Sequence, residues 1–191
     1  MKKIGLTGNI GSGKSTIAEA FKILGIPVFN SDFEAKRLMG ESAALKQSLL
    51  NLFGTQTYQH GKLNTGYLSK IVFSDEKKLK LLNDLIHPEL NNFFESWCKL
   101  QDSNYVIKEA AILFESGSYT SLDDVICVSC PKDLRIRRII KRDSTTTQAV
   151  LDRMKNQWDE DKLISLSTYV INNDETTLLF PQILAIHQQL K

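Results

Sequence analysis

This sequence has few cysteines, a small net charge and no long apolar run. Three of its 191 residues are cysteine, too few for a disulfide framework. The net charge of +2 is too small to indicate binding to nucleic acid or to a membrane surface. No stretch approaches the roughly 18 apolar residues of a membrane span, and the start MKKIGLTGN is too poor in them for a signal peptide. We therefore expect a globular protein of the reducing cytoplasm, with neither kind of partner.

Two of the cysteines, Cys127 and Cys130, form a C-x-x-C pair, a pattern that elsewhere holds zinc or exchanges disulfides. No second pair or neighbouring histidine accompanies them, which disfavours both functions. We expect apolar thiols on, and just after, a buried strand.

Short apolar runs alternate with helical stretches along the chain. Near-continuous apolar character is typical of parallel strands that are covered on both faces. A helix over 15–24, ending at Gly25, follows the first run and gives a β-α-β opening. We predict an α/β fold with a five-stranded parallel sheet flanked by helices. Its strands are expected at 4–7, 26–29, 105–107, 124–129 and 169–171.

Residues 33–103 do not fit that alternation, because their patterns are mostly helical. Apolar residues recur at i, i+3 and i+4 in 43–53 and 77–86, and Pro88 is expected to open a new helix at its first position. The sequence thus predicts an inserted helical region.

The later part of the chain contains two further helical segments. Residues 131–160 are rich in charge and predict two partly exposed helices joined at 143–147. The segment 181–191 predicts an amphipathic helix, which we expect to pack on the core.

The loop GNIGSGKST at 8–16 contains the pattern G-x-x-x-x-G-K-S/T between a predicted strand and a predicted helix. In such a P-loop the backbone amides face phosphate, the lysine reaches the β- and γ-phosphates and the hydroxyl holds Mg²⁺. The sequence therefore predicts a P-loop NTPase fold that binds a nucleoside triphosphate and Mg²⁺, with Ser15 as the metal ligand. The expected ATP-binding residues of this loop are Gly8, Asn9, Ile10, Gly11, Ser12, Gly13, Lys14, Ser15 and Thr16.

Several motifs of other nucleotide-binding classes are missing. The chain has no N/T-K-x-D or D-x-x-G string, as a GTPase requires, and no LSGGQ-like signature of an ABC-type ATPase. These absences favour a small-molecule kinase, in which one region holds the acceptor and another closes over the phosphates.

Acidic candidates lie at the expected carboxyl ends of two strands. Asp32 can accept the proton of an acceptor hydroxyl, although Ser31 and Glu34 also have the spacing of a helix capping box. Glu109 is placed to bind the acceptor or the hydration shell of Mg²⁺, or it is simply an exposed strand end. Glu115 is a weaker candidate of the same kind.

Basic candidates cluster after the fourth predicted strand. Arg135, Arg138 and Arg142 share one helical face and can neutralise a transferring phosphoryl group, or they form a solvated surface. Arg153 and Lys155 are weaker candidates. The chemistry of His87 alone does not make it catalytic.

Together these motifs resemble the dephospho-coenzyme A kinase family, in the family's order and from Met1 to about Asp174. The most specific are IHP (86–88), ILFE (112–115) and RMKNQ (153–157). The matching stretches also include IGLTGNIGSGKST, NSD with EAKRLM, FG followed by HGKL, IVFSD, RIIKRD and YVINN.

This resemblance implies transfer of the γ-phosphoryl group of ATP to the ribose 3′-hydroxyl of dephospho-CoA, the last step of coenzyme A synthesis. It also implies a nucleotide-binding core (1–32, 104–130 and 161–191), an acceptor region that binds CoA (33–103) and a lid (131–160). Separately, we expect a monomer or weak homo-oligomer.

The resemblance also assigns roles to individual residues. It makes Asp32 the catalytic base, assisted by Lys14, Arg138 and Arg142. Arg138 and Asn173 join the ATP site. The residues that would bind dephospho-CoA are Asp32, His87, Glu109 and Glu115.

Some positions depart from the family pattern. Asn30 stands where the family has an acid, Ala111 where it has proline and Thr65 where it has arginine, and Ser167–Thr168 replaces an Ala-Asp pair. The remaining alternatives are another P-loop kinase, acting on a small molecule, nucleoside or nucleotide, and a nucleotide-binding regulatory switch.

Overall fold

The computed structural model describes residues 1–155 and 157–191, without the side chains of Phe73 and Glu76. In chain order, the strands are β1 (Lys2–Thr7), β2 (Val28–Asn30), β3 (Tyr58–Gln59), β4 (Lys62–Leu63), β5 (Tyr105–Glu109), β6 (Asp124–Ser129) and β7 (Tyr169–Asn172). The helices are α1 (Lys14–Ile23), α2 (Ser31–Glu41), α3 (Ala43–Phe53), α4 (Thr65–Phe73), α5 (Glu76–Cys98), α6 (Lys132–Asp143), α7 (Thr147–Met154), α8 (Glu160–Ser165) and α9 (Leu179–Leu190).

The described chain divides into two compact units, one formed by Met1–Asn30 with Gln101–Lys191 and the other by Ser31–Leu100. The first unit holds a parallel five-stranded sheet in the order β2-β5-β1-β6-β7. Each predicted run contributes to one of these strands, so the predicted α/β sheet is confirmed. The strand predicted at 26–29 begins at Val28, two residues later than expected.

The larger of two apolar clusters in the described part of the first unit lies on the sheet face that carries α1 and α9. Ile4 and Leu6 of β1, Ile107 of β5 and Ile126 of β6 point into it and are fully buried. The apolar stripe of α9 (Ile183, Ile186 and Leu190) packs in the same cluster, as its amphipathic pattern predicts.

The second unit is mainly helical and includes the short antiparallel pair β3–β4. The predicted break at Pro88 is wrong, because α5 runs through it without interruption. Buried residues recur every four positions on both sides of the proline, so one continuous apolar stripe offsets the hydrogen bond that proline cannot make. They are Leu82, Ile86, Leu90, Phe94 and Cys98.

No helix in the described part of the chain is both long and apolar enough to cross a membrane.

Candidate active site

The P-loop connects β1 to α1 through a backbone that only glycine adopts readily. Gly8, Gly11 and Gly13 have φ of 148°, 81° and 95°. A Cβ atom on Gly13 would also collide with the side-chain amide of Asn173. Glycine at position 13 is therefore required both by the turn and by its neighbour.

A cavity of about 330 Å³ opens beside this loop. The amino end of α1 faces it, and the first turn of that helix carries no acidic side chain. Helix amino ends with free amides attract anions, which suits phosphate. The residues that line the cavity are Gly11, Gly13, Lys14, Ser15, Thr16, Arg138, Ile139 and Arg142.

Lys14 is folded back across the loop that it follows. Its Nζ donates to the carbonyl oxygens of Gly8, at 2.7 Å, and Asn9, at 3.4 Å. The ammonium group thus lies on the inner side of the P-loop and also lines the cavity.

Glu109 is the last residue of β5, which pairs with β1 on one side and β2 on the other, and it lies at the predicted carboxyl edge of the sheet. It is paired with Leu6 of β1 and Asn30 of β2 in register and is 8% exposed. Its Oε1 accepts a hydrogen bond from Ser15 Oγ at 3.2 Å, and its Oε2 accepts one from Asn30 Nδ2 at 2.8 Å. The interpretation as an exposed strand end is wrong, because pairing on both sides buries Glu109.

The Asn30 amide shows what the departure from the expected acid does here. An acid at this position would face the Glu109 carboxylate, whereas the amide donates to it. Both oxygens of Glu109 are thereby fixed by neutral donors.

Asn173 connects the P-loop to the arginine-rich helix α6. Its Nδ2 donates to the carbonyl of Ser12 at 2.7 Å, and its Oδ1 accepts from Arg138 Nη2 at 3.4 Å. Arg138 also donates to Glu175 Oε1, from Nη2 at 3.0 Å. Asn173 therefore links Arg138 of α6 to the P-loop.

The other arginines of α6 behave differently. Arg142 lines the cavity with a side chain that is 63% exposed and bonds to Asp143. Hydrogen bonds from Arg142 and Arg153 lower the pKa of the Asp143 carboxyl to about 2. Arg135 is 7% exposed and donates to the carbonyl of Cys130, so it is a buried structural group and not part of the cavity wall.

The segment after α7 supplies contacts that the sequence analysis missed. Gln157 Oε1 accepts from the P-loop amide of Ile10 at 2.8 Å, and Gln157 Nε2 donates to the carbonyl of Ala111 at 3.4 Å. Asn9 Nδ2 donates to the carbonyl of Trp158, whose own amide donates to Glu115 Oε1 at 3.2 Å. The RMKNQ motif contained this signal, but spacing alone does not show that its glutamine reaches the P-loop.

Asp32 and His87 lie in the second unit. Asp32 is exposed in the first turn of α2, and His87 is half-buried in α5. Ser31 is the first residue of α2, and its buried Oγ has no hydrogen-bond partner among the described residues, so it does not form the expected capping box. The roles of Asp32, His87 and Glu115 stay predictions.

Cys127 and Cys130 are buried free thiols, as predicted. Burial raises the pKa of the Cys127 thiol to about 12, so it is protonated at neutral pH. No group of three or more histidine, cysteine, aspartate or glutamate residues that could hold a metal occurs in the described residues.

Comparisons with known proteins show which sequences and structures are similar to this chain. A family model described as dephospho-CoA kinase matches residues 2–178. The chain is 33% identical over 185 residues to the dephospho-CoA kinase of Bacteroides fragilis, covering 96% of this chain and 90% of that one.

Two solved structures share the fold over nearly their whole length. TT1252 from Thermus thermophilus superposes with a TM-score of 0.86 at 30% identity, over 100% of this chain and 98% of that one. The dephospho-CoA kinase from Campylobacter jejuni has a TM-score of 0.70 at 25% identity, over 98% and 96% of the two chains.

Proposed function

We propose, because the chain belongs to the dephospho-CoA kinase family, that it transfers the γ-phosphoryl group of ATP to the ribose 3′-hydroxyl of dephospho-CoA at the P-loop described above. The observation that carries this proposal is the contact of Ser15 with Glu109, which joins the P-loop to a buried strand end. That contact sets the Ser15 hydroxyl, which lines the cavity, against the Glu109 carboxylate.

Phosphate binding is assigned to the loop amides and to Lys14. Phosphoryl transfer is accelerated mainly by positioning and by neutralising charge on the transferring group. Lys14 lines the cavity and supplies one positive charge, while Arg138 and Arg142 supply two more from the opposite element. Gln157 holds the loop amide of Ile10, which fixes the start of the loop against the segment after β5.

The residues present fit Mg²⁺, which is the second expected cofactor. Hydroxyl and carboxylate oxygens are hard ligands, and Mg²⁺ in kinases is held by one or two protein groups together with substrate phosphates. Ser15 Oγ and Glu109 Oε1, 3.2 Å apart, are such a pair. Ser15 would bind the ion and Glu109 would orient Ser15 and the ion's water shell. When bound, the ion neutralises the β- and γ-phosphate oxygens.

The acceptor side is assigned to the second unit and to Glu115. Asp32 is the proposed base, because its exposed carboxylate follows Asn30 of β2 by two positions and can take the proton of a ribose hydroxyl. His87 and Glu115 are the proposed contacts to dephospho-CoA. We also expect a cytoplasmic protein that is a monomer or weak homo-oligomer. Light scattering of the purified chain would test the oligomeric state.

Asp32→Asn tests the base. It should lower kcat by about 10²- to 10⁴-fold, the usual contribution of a general base, while the Kd for ATP changes little. The matched control is Asp84→Asn, which removes an exposed carboxylate from α5 of the same unit. A kcat for Asp32→Asn within a few-fold of the control would leave Asp32 only a helix-start residue.

The function itself is tested by ADP release with a panel of acceptors. Dephospho-CoA should stimulate release strongly, whereas adenosine, AMP and shikimate should not. Equal release without any acceptor would indicate a regulatory ATPase, and stimulation by a different acceptor would indicate another kinase.

A further inference from the structure

Glu175 has a backbone conformation that its side chain makes unfavourable. It lies in the loop between β7 and α9 with φ of 70°, in the left-handed region that favours glycine. Non-glycine residues held there store strain, which persists only when the surrounding structure imposes it.

The neighbouring residue explains how the loop is held in this bend. Asp174 Oδ1 accepts from the backbone amides of Thr176, at 2.9 Å, and Thr177, at 2.7 Å. Asp174 Oδ2 accepts from Thr177 Oγ1 at 3.0 Å. These bonds close the turn around Glu175 and direct its side chain towards α6.

The carboxylate of Glu175 fixes one edge of the Arg138 guanidinium. Its Oε1 accepts from Arg138 Nη2 at 3.0 Å and from Arg138 Nε at 3.3 Å. The remaining nitrogen, Nη1, lies 3.3 Å from the sulfur of Cys130. Each of the three Arg138 nitrogens thus has a protein acceptor while the residue lines the cavity beside Gly13 and Lys14.

We propose that Glu175 is a positioning residue that holds Arg138 against the nucleotide cavity before ATP binds. Glu175 does not line the cavity and acts through the arginine. An arginine that is already fixed loses less side-chain entropy when its ligand arrives, so ATP binds more tightly. This inference rests on the proposed function only in taking ATP as the ligand of the cavity.

If Glu175 served only the stability of the fold, its replacement would lower Tm and leave the Kd for ATP unchanged. The ion pair is partly exposed, with side-chain exposures of 29% for Arg138 and 55% for Glu175, and such pairs add little to stability. Replacing Glu175 with glycine relieves the left-handed strain and removes the carboxylate. Stability and ATP affinity should therefore change in different directions.

The test measures the Kd for ATP by calorimetry and the Tm of the full chain for Glu175→Gly. We expect a Kd raised about two- to fivefold, as for loss of one partly exposed ion pair, with a Tm that is not lower than that of the wild type. Glu175→Gln keeps the length and the strain but loses the charge, so its Kd should also rise and its Tm should not increase.

The matched control is His60→Gly, which relieves the same kind of strain at an exposed residue with φ of 49° in the second unit. Its Kd for ATP should equal that of the wild type. A rise in Kd for this variant equal to that for Glu175→Gly would overturn the proposal, because strain relief alone would then explain the effect.

A double-mutant cycle tests whether Glu175 acts through Arg138. In an Arg138→Lys background, Glu175→Gly should change the Kd for ATP by much less than it does in the wild type. An undiminished change would also contradict the proposal. Because ATP binding needs no acceptor, these outcomes are independent of whether dephospho-CoA is the substrate.

Discussion

The two sides of the cavity are held in different ways. On the P-loop side, Glu109 ends a strand whose residues are all buried, and neutral donors from Ser15 and Asn30 fix both of its oxygens. On the side of α6, the Arg142 side chain is 63% exposed and is bound to an adjacent residue, Asp143. Groups fixed by strands keep one geometry, whereas exposed arginines can move to meet a ligand. We infer that the P-loop side sets the chemistry and that Arg142, unlike the fixed Arg138 on the same helix, adjusts to the nucleotide.

The largest expected effect is on the P-loop side, at Lys14. Lys14→Met removes the ammonium group that lies beside the loop carbonyls, so kcat should fall by about 10²- to 10³-fold. Lys22→Met is the matched control, because Lys22 is exposed on the same helix and pairs with Glu19. Steady-state kinetics of both variants check this, and a similar kcat for both would remove Lys14 from the mechanism.

The next largest effect should come from the strand end. Glu109→Gln keeps the shape but loses the charge beside Ser15, so kcat should fall about 10- to 100-fold, as for loss of a group that orients a metal ligand. Binding of Mn²⁺ in the presence of ADP, followed by electron paramagnetic resonance, should weaken by a similar factor. Glu19→Gln, an exposed carboxylate of α1, is the control. Unchanged Mn²⁺ binding by Glu109→Gln would show that this carboxylate does not contribute to the metal site and acts only within the sheet.

A smaller effect is expected on the α6 side. Arg142→Gln removes one exposed positive charge, so the KM for ATP should rise about two- to fivefold and kcat should fall by a similarly small factor. Lys141→Gln, the exposed neighbour in α6, should leave both constants as they are. A loss of kcat comparable to that of Lys14→Met would erase the proposed difference between the two sides.

The smallest effect is expected from a buried contact between β5, the strand that ends at Glu109, and α9. Tyr105 at the start of β5 is bonded to His187 Nδ1 of α9 at 2.7 Å within the core. Burial, assisted by the charge of Lys191, lowers the pKa of His187, so the unfolded chain binds the proton first as pH falls. Stability is therefore present above the ordinary histidine pKa and is lost as pH falls below it.

This linkage can be measured through Tm. Between about pH 7.5 and pH 5.5, Tm should fall more steeply for the wild type than for His187→Gln, which cannot take up the proton. His60→Gln, at an exposed histidine, should keep the wild-type slope. Equal slopes for His187→Gln and the wild type would assign the acid sensitivity to other groups.

The sheet and the P-loop could be predicted from sequence because both depend on local pattern. Continuous apolar runs mark buried parallel strands, and the P-loop is a contiguous string whose glycines its backbone requires. Pro88 was misjudged because proline favours the first turn of a helix, whereas here a buried stripe extends across it.

The contacts that complete the site could not be predicted, because they join residues far apart in the chain. Gln157 and Ile10 are 147 positions apart, and Asn173 and Ser12 are 161 apart. The role of Glu175 depends on a backbone angle that no sequence spacing reports. Arg135 shares a helical face with Arg138, but only tertiary packing shows that it is buried.

The central claim is that the γ-phosphoryl group of ATP reaches the ribose 3′-hydroxyl of dephospho-CoA. The most direct measurement supplies ATP labelled with ¹⁸O in the γ-phosphoryl group, together with Mg²⁺ and dephospho-CoA, and fragments the product in a mass spectrometer. We predict coenzyme A that carries the labelled phosphoryl group on the 3′-oxygen. Labelled inorganic phosphate with dephospho-CoA left unchanged would contradict the account.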